Sequence, residues 1–290
     1  MKKKVTVIVP TYQHWDELRK CINALQDQSY PKDAFEVLII NNDPTSKLPS
    51  NFELSSNFKL LEQSTPGSYA ARNKGIEYAT GDIIAFTDSD CIPHRDWLRN
   101  GVEALGNEIE RVAGHVEVFF ESTKLNFIEI YEKMYAFDQE NNAKNGVSVT
   151  ANMIVKKSVF DKVGNFDDLL MSGGDFEWNR RATAQNISLQ YCSAVKVRHP
   201  SRSNRRAFLQ KLRRTTGGMY KVIDGDSTMF LSFFLRGILP PIKAVIPTMN
   251  SDKGNFKEKI IALIVMYLVK IYCTCYMLKL CLTDTKLERQ

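Results

Sequence analysis

Asp88-Ser89-Asp90 directly follows the run Ile83-Ile84-Ala85-Phe86-Thr87. Carboxylates one residue apart at a strand end leave it on the same side, and hard oxygen ligands of that kind suit Mg²⁺ or Mn²⁺ holding substrate phosphates. Open α/β sheets bind ligands at the carboxyl ends of their strands, so position and chemistry together point to a nucleotide diphosphate. The spelling alone carries little. Asp224-Gly225-Asp226 repeats it after no comparable strand, and acidic residues at strand ends also cap helices.

Strand and helix patterns alternate around this motif. Val5 to Val9 reads as a short strand, after which Trp15, Leu18, Ile22 and Leu25 recur at three- and four-residue steps as one helical stripe. Phe35 to Ile40 gives a second strand ending at Asn41-Asn42-Asp43-Pro44, and Phe58 to Leu61 a shorter third. Ser68 is placed to cap a helix running to about Ala79, whose Ala70, Ala71 and Gly75 permit close approach to a sheet. Strands with few charges predict an α/β, Rossmann-like fold up to about Phe120, with a mostly parallel central sheet flanked by helices on both faces. A helix is expected from Lys124 to Asn141, with no composition break before it. The expected division is a catalytic domain over residues 1–200, in halves of about 1–120 and 121–200 that the resemblance set out below reads as a nucleotide-sugar half and an acceptor half. A basic and apolar helical extension follows over 201–290.

The 290 residues are 43% hydrophobic and 25% charged, which argues against extensive disorder. A mean hydropathy of -0.28 argues against a polytopic membrane protein. The net charge of +6 is concentrated between Cys192 and Ile223, where nine basic residues meet no acidic one. A run of one sign meets anions, and phosphate and acidic lipid are favoured over nucleic acid because no interleaved aromatics or reading module accompany it. Met229 to Pro247 is apolar but interrupted by Arg236, Pro240, Pro241 and Lys243. Ile260 to Leu282 is long enough to span a bilayer, yet Lys270 lies near its centre. A central Lys costs about 2.5 to 3.5 kcal/mol, so a span, an interfacial helix and a helix packed on a partner all stay open. The run after Met1-Lys2-Lys3-Lys4 is too short for a signal peptide and reads as a strand, which puts the catalytic part on the cytoplasmic face of the membrane. Six cysteines without CxxC spacing read as reduced thiols.

Taken together, Val7-Ile8-Val9-Pro10-Thr11-Tyr12, Ile39-Ile40-Asn41-Asn42-Asp43, Ala71-Arg72-Asn73-Lys74-Gly75, Gly81 to Asp90 and Val163-Gly164-Asn165-Phe166-Asp167 resemble family 2 glycosyltransferases of the GT-A fold. The match extends to order as well as spelling, over about Val5 to His199. The resemblance implies an inverting transfer of a sugar from a nucleotide-sugar, a UDP-sugar favoured, to a hydroxyl of a glycan or lipid-linked saccharide in surface polysaccharide or glycoconjugate synthesis. Pro10, Thr11 and Tyr12 would then line the nucleotide site, Asn41, Asn42 and Asp43 approach base or ribose, and Arg72, Asp88 and Ser89 complete the nucleotide contacts. Most relatives carry an acid where Asn41 or Asn42 stands, so the base contact differs here. Mn²⁺ or Mg²⁺ would be held by Asp90, with Asp88 through water or the ribose, and by His199, whose other reading is a surface hydrogen-bonding residue.

Transfer also needs a base, because a hydroxyl is a poor nucleophile until a carboxylate takes its proton. Asp175, within Met171 to Arg181, matches the family's base, although Gly174 stands where many members carry a first acid. Asp175 and Glu177 project about 200° apart on a helix, so both cannot face one cleft. The alternative is that Asp175 only caps the helix while Glu177 pairs with Arg181. Asn152, Glu177 and Trp178 are the acceptor-side candidates, with core packing as the other reading of Asn152 and Trp178.

Two other functions were open to this composition. A sugar-phosphate nucleotidyltransferase needs a Gly-rich, Arg-containing phosphate loop after the first strand, and Pro10-Thr11-Tyr12-Gln13-His14 has no glycine. A non-enzymatic basic-surface binding protein would use the charge without the strand-end acids.

Overall fold

The computed structural model describes residues 3–223 and 227–283, so Asp224-Gly225-Asp226 lies outside the described residues. Strands β1 (Val5–Thr11), β2 (Phe35–Asn41), β3 (Phe58–Glu62) and β4 (Ile83–Thr87) are parallel, with β1 between β2 and β4 and β3 outside β2. Every residue of β1, β2 and β4 is buried, as a sheet covered on both faces requires. Beyond β4 the sheet departs from the parallel expectation. β5 (Ile92–Pro93), β6 (Arg111–Phe119), β7 (Asn152–Lys156) and β8 (Leu189–Pro200) extend it to the order β3-β2-β1-β4-β7-β6-β8-β5. Here β7 runs antiparallel to both β4 and β6, and β5 antiparallel to β8.

Helix α1 (Trp15–Gln26) buries Leu18, Cys21, Ile22 and Leu25 against this sheet, as its stripe predicts. Helix α2 (Ser68–Tyr78) comes closer. A Cβ on Gly75 would lie 2.5 Å from the Ile8 side chain, so glycine lets the helix that carries Arg72 settle against β1. Ser68 is not its cap. Gly67, at φ 121°, takes the N-cap position, and its N–H donates to Asn42 Oδ1 at 2.8 Å.

Helix α3 (Trp97–Leu105) packs on β7. The single helix expected over 124–141 is two helices, α4 (Phe127–Tyr135) and α5 (Gln139–Lys144). Asn126 and Glu129 form a capping box that starts α4, Phe137 at φ 54° breaks the helical path, and Asp138 caps α5. Helices α6 (Ser158–Val163) and α7 (Gly174–Ala184) follow, then α8 (Arg205–Ile223), α9 (Ser227–Ile238), α10 (Ile242–Asn250) and α11 (Phe256–Leu282).

The chain forms two compact units. The first holds the sheet and runs to Glu117, then Phe137–Leu169 and Gly174–His199; the second combines Val118–Ala136, Leu170–Gly173 and the chain from Pro200. Helix α4 falls in the second unit together with the helices that follow Pro200.

Within the second unit, Glu132 of α4 is 1% exposed and accepts hydrogen bonds from the Arg202 backbone at 2.6 Å and from Lys211 Nζ of α8 at 3.0 Å. Burial raises its pKa, but Lys211 and Arg202 outweigh burial and leave the carboxylate below its ordinary range. A depressed carboxylate contributes stability above its unfolded pKa that is lost as pH falls through the folded one. Glu132→Ala would leave two cations facing a vacated site, and urea unfolding should show a loss of about 3–5 kcal/mol.

Among the described residues, α11 is the helix long and apolar enough to cross a membrane, and α9 with α10, bent by 58°, would pass the same test as one broken span. Pro240 and Pro241 separate that pair. Lys270 Nζ donates to Leu239 O at 2.7 Å and Tyr267 Oη to Ile238 O at 3.1 Å, so the central lysine of α11 satisfies carbonyls left open where α9 ends.

Candidate active site

The first three motifs meet because β1, β2 and β4 are neighbours that point the same way. Thr11 pairs with Asn41 across the β1–β2 ladder, and the Asn42 N–H donates to Thr11 O at 2.8 Å. Gln13, at φ 59°, turns the chain so that its Nε2 donates to Asp43 Oδ2 at 2.6 Å. Hydrogen bonds from Thr45 and then Gln13 hold Asp43 below the usual carboxylate range. The two asparagines are buried and committed to the loop. Asn41 Nδ2 donates to Ser46 O, while Asn42 Nδ2 donates to Gln63 O and Thr65 O. Both side chains thereby brace the loops at the ends of β1 and β2. Pro10 is buried and Tyr12 half-buried at the same strand end.

Arg72 is 3% exposed and donates from Nη2 to Asp88 Oδ1 at 2.5 Å. Asp88 is thereby neutralised by the protein, whereas Asp90, two residues on, meets the far end of the sheet: its Oδ2 lies 3.4 Å from His199 Nε2. Ser89 lies half-buried between them. Phe137 supports the other side of the imidazole, with ring centres 4.6 Å apart. Asp90, Cys91 and His199 place potential metal-binding atoms within 4.8 Å of one another. Burial, then the charges of Asp90 and Asp88, push the Cys91 thiol well up, so the carboxylate and imidazole are the usable ligands. A carboxylate and an imidazole together offer one hard oxygen and one nitrogen donor to a divalent cation. Thr11 Oγ1 and Arg72 Nε are buried without a hydrogen-bond partner in the protein, which fits a polar ligand at these strand ends.

Asp175 occupies the first turn of α7. Its Oδ1 accepts from Tyr69 Oη and from the Phe176 N–H, both at 3.0 Å, and Oδ2 from the Thr150 N–H at 3.4 Å. Burial raises its pKa above the ordinary 3.8, with Arg72 and the Tyr69 hydrogen bond opposing. The helix is fixed from below. Arg111, fully buried, donates to the Asn179 side chain at 2.6 Å and to Thr183 Oγ1 at 3.0 Å, and Asn179 Nδ2 donates to Asp175 O. Gly174 is explained by Tyr69: a Cβ there would lie 2.8 Å from the tyrosine ring. Any side chain at this position would have to displace the Tyr69 ring.

The acceptor-side candidates are each engaged by neighbouring residues. Trp178 is fully buried, stacked on Phe160 with ring centres 4.7 Å apart, and donates to Gly164 O. Asn152 is equally enclosed and is used by Trp97, His115 and Val195. Glu177 is held by Arg181 through Nε at 2.6 Å and Nη2 at 3.0 Å. Sequence reasoning missed Tyr69, which stands 106 residues from Asp175, and Phe137, since nothing in a helical stripe marks either one as a partner.

Tyr69→Phe keeps the ring and removes the O–H, one of the interactions that lower the Asp175 pKa. The acid limb of the pH–rate profile should move to higher pH with the melting temperature little changed. A profile identical to wild type would show that the hydrogen bond has no part in positioning the carboxylate.

A mixed sheet with its nucleotide-type loops at the ends of β1, β2 and β4, and an acid opening a helix beside them, defines a transferase of the GT-A class. The chain belongs to glycosyltransferase family 2: residues 6–164 match the family model described as Glycosyl transferase family 2. It is 38% identical over 206 residues to glycosyltransferase AglE of Haloferax volcanii, covering 68% of this chain and 67% of that protein. A Methanococcus voltae dolichyl N-acetyl-alpha-D-glucosaminyl phosphate 3-beta-D-2,3-diacetamido-2,3-dideoxy-beta-D-glucuronosyltransferase is 24% identical over 71% of this chain and 70% of its own. The fold is similar to that of a Pyrobaculum calidifontis mannosyltransferase solved with GDP-Man and Mn²⁺, with a TM-score of 0.65, 18% identity, and coverage of 99% of this chain and 89% of that one. The protein is therefore a glycosyltransferase.

Proposed function

We propose that this enzyme is an inverting, hexosyltransferase-type glycosyltransferase that moves a sugar from a nucleotide-sugar to a hydroxyl of a lipid-linked saccharide. The observation that carries the reading is the state of Asp175, a carboxylate of raised pKa at a helix start, oriented by Tyr69 and facing the charge of Arg72. Asp175 takes the proton of the acceptor hydroxyl as its oxygen attacks the anomeric carbon. The bond from that carbon to the phosphate oxygen breaks, and the nucleoside diphosphate leaves with the electron pair. Thr11 and Arg72 present polar atoms to the nucleotide and its phosphates. Asp90 and His199 would hold Mn²⁺ or Mg²⁺, which when bound supplies positive charge to the leaving diphosphate.

A lipid-linked acceptor accords with the dolichyl N-acetyl-alpha-D-glucosaminyl phosphate in the Methanococcus relative's name and with the apolar α11. The excess of cations from Cys192 to Ile223 fits the anionic cytoplasmic leaflet of a membrane. Solved relatives hold GDP-Man or UDP, so both bases belong in the donor panel. Release of nucleoside diphosphate is the test, using a panel of nucleotide-sugars with Mn²⁺, Mg²⁺ or EDTA. Metal-dependent release from one donor supports the reading. Absence of both release and donor binding across the panel would overturn it.

A further inference from the structure

The second unit contains a cavity of about 570 Å³ between α4, α8 and α11. Its walls are apolar, formed chiefly by Phe127, Phe208, Leu212, Val265 and Leu268, while Asn126, Ser203 and Arg205 supply polar groups. Two of those are tied to each other, because Asn126 Nδ2 donates to Ser203 O at 3.1 Å. Arg205 is exposed and makes no ion pair among the described residues, in contrast to Arg202 and Lys211, which Glu132 neutralises. A cavity that is mostly hydrocarbon, with the Arg205 guanidinium as its one charge and the Ser203 and Tyr272 hydroxyls as further polar groups, matches an amphiphile with an anionic end and a single apolar chain.

The surroundings select the kind of amphiphile. Phe256, Ile260, Ile264 and Leu268 recur every four residues along α11 and are 67%, 39%, 56% and 60% exposed, so an open apolar stripe leads into the cavity wall at Leu268. A soluble phosphate ester would have no use for that stripe. No acidic residue interrupts the cationic run from Cys192 to Ile223, so an anionic end is favoured over a neutral or zwitterionic one.

We propose that this cavity seats the hydrocarbon chain of the lipid-phosphate acceptor, with Arg205 paired to its phosphate. The proposal rests on the acceptor being lipid-linked, and it adds where the lipid is held and by which residues.

The test uses the full chain in neutral detergent and reads binding without donor or turnover, so its outcome is independent of the donor panel. Geranylgeranyl phosphate is titrated beside geranylgeraniol, inorganic phosphate and phosphatidylglycerol vesicles. Geranylgeranyl phosphate should bind, the alcohol at least about tenfold more weakly, and inorganic phosphate not measurably. Val265→Trp, which fills the cavity, and Arg205→Glu, which reverses the charge, should each weaken binding of the lipid phosphate by about tenfold or more. Leu268→Asp on the exposed rim is the substitute should Val265→Trp fail to fold. Equal binding of alcohol and phosphate, or full affinity in the variants, would overturn the proposal. So would vesicles that displace geranylgeranyl phosphate completely, since the groove would then be a bilayer-lipid site. No binding of any lipid would also overturn it, leaving the groove to a protein partner.

Discussion

Asp175→Asn should cost the enzyme about 10²–10⁴-fold in turnover, the range that general base catalysis supplies, while leaving the folded state at least as stable at neutral pH. The two halves of this expectation have one cause. Burial disfavours the charged carboxylate more than Arg72 and the hydrogen bonds from Tyr69, Phe176 and Thr150 favour it, so the folded pKa lies above 3.8. A group whose folded pKa is raised contributes stability below its unfolded pKa and loses that contribution as pH rises through the folded value. At pH 7 the ionised side chain therefore strains the fold, and a neutral amide of the same shape relieves that strain. Its oxygen can still accept from Tyr69 and Phe176. What is lost is the capacity to take a proton, together with the long 3.4 Å hydrogen bond from the Thr150 N–H.

Wild type should accordingly show an acid limb in kcat/KM above the ordinary carboxylate range, and the residual activity of Asp175→Asn should lack that limb. A variant that melts several degrees lower would identify Asp175 as a structural cap. Nucleoside diphosphate release that survives in the variant would assign the base elsewhere.

The parts of the fold legible in the sequence are those set by local pattern. Apolar runs gave β1, β2 and β4, a helical stripe gave α1, and Gly75 marked the approach of α2 to Ile8. The strand-end motifs followed, because a parallel sheet gathers the carboxyl ends of its strands in one place. Insertion of the antiparallel β7 between β4 and β6 was not legible, since strand pairing across the chain leaves no spacing signal. The break between α4 and α5 depends on a phenylalanine in the left-handed region, a conformation that sequence assigns to glycine or asparagine first. Asn152, Trp178 and Asn42 have side chains that suit a binding pocket, but each has its polar groups consumed by neighbours that come from other parts of the chain. The central lysine of α11 is similar. Its cost in hydrocarbon is evident from composition, whereas its partner, the Leu239 carbonyl, exists only because Pro240 and Pro241 end the preceding helix.

Asp90→Asn should separate the metal from the fold. The Asp90 side chain is 31% exposed and its ion-pair partner is the imidazole of His199 at 3.4 Å, so loss of its charge removes at most a weak pair from the folded state. The melting temperature should stay close to wild type. Metal affinity should not, because an amide oxygen is a far poorer ligand than a carboxylate and leaves His199 as the remaining strong donor of the pair. Titration of Mn²⁺ in the presence of nucleoside diphosphate, with free Mn²⁺ followed by its electron paramagnetic resonance, should show a loss of at least about tenfold, the lower end of what even outer supporting groups cost a metal site. Donor hydrolysis should fall in parallel, and EDTA should bring the wild type down to the variant. The opposite pattern, unchanged Mn²⁺ binding with a marked loss of stability, would make Asp90–His199 a structural pair. It would also place charge stabilisation of the leaving diphosphate on Arg72, which lies buried beside Asp88 with its Nε unpartnered within the protein.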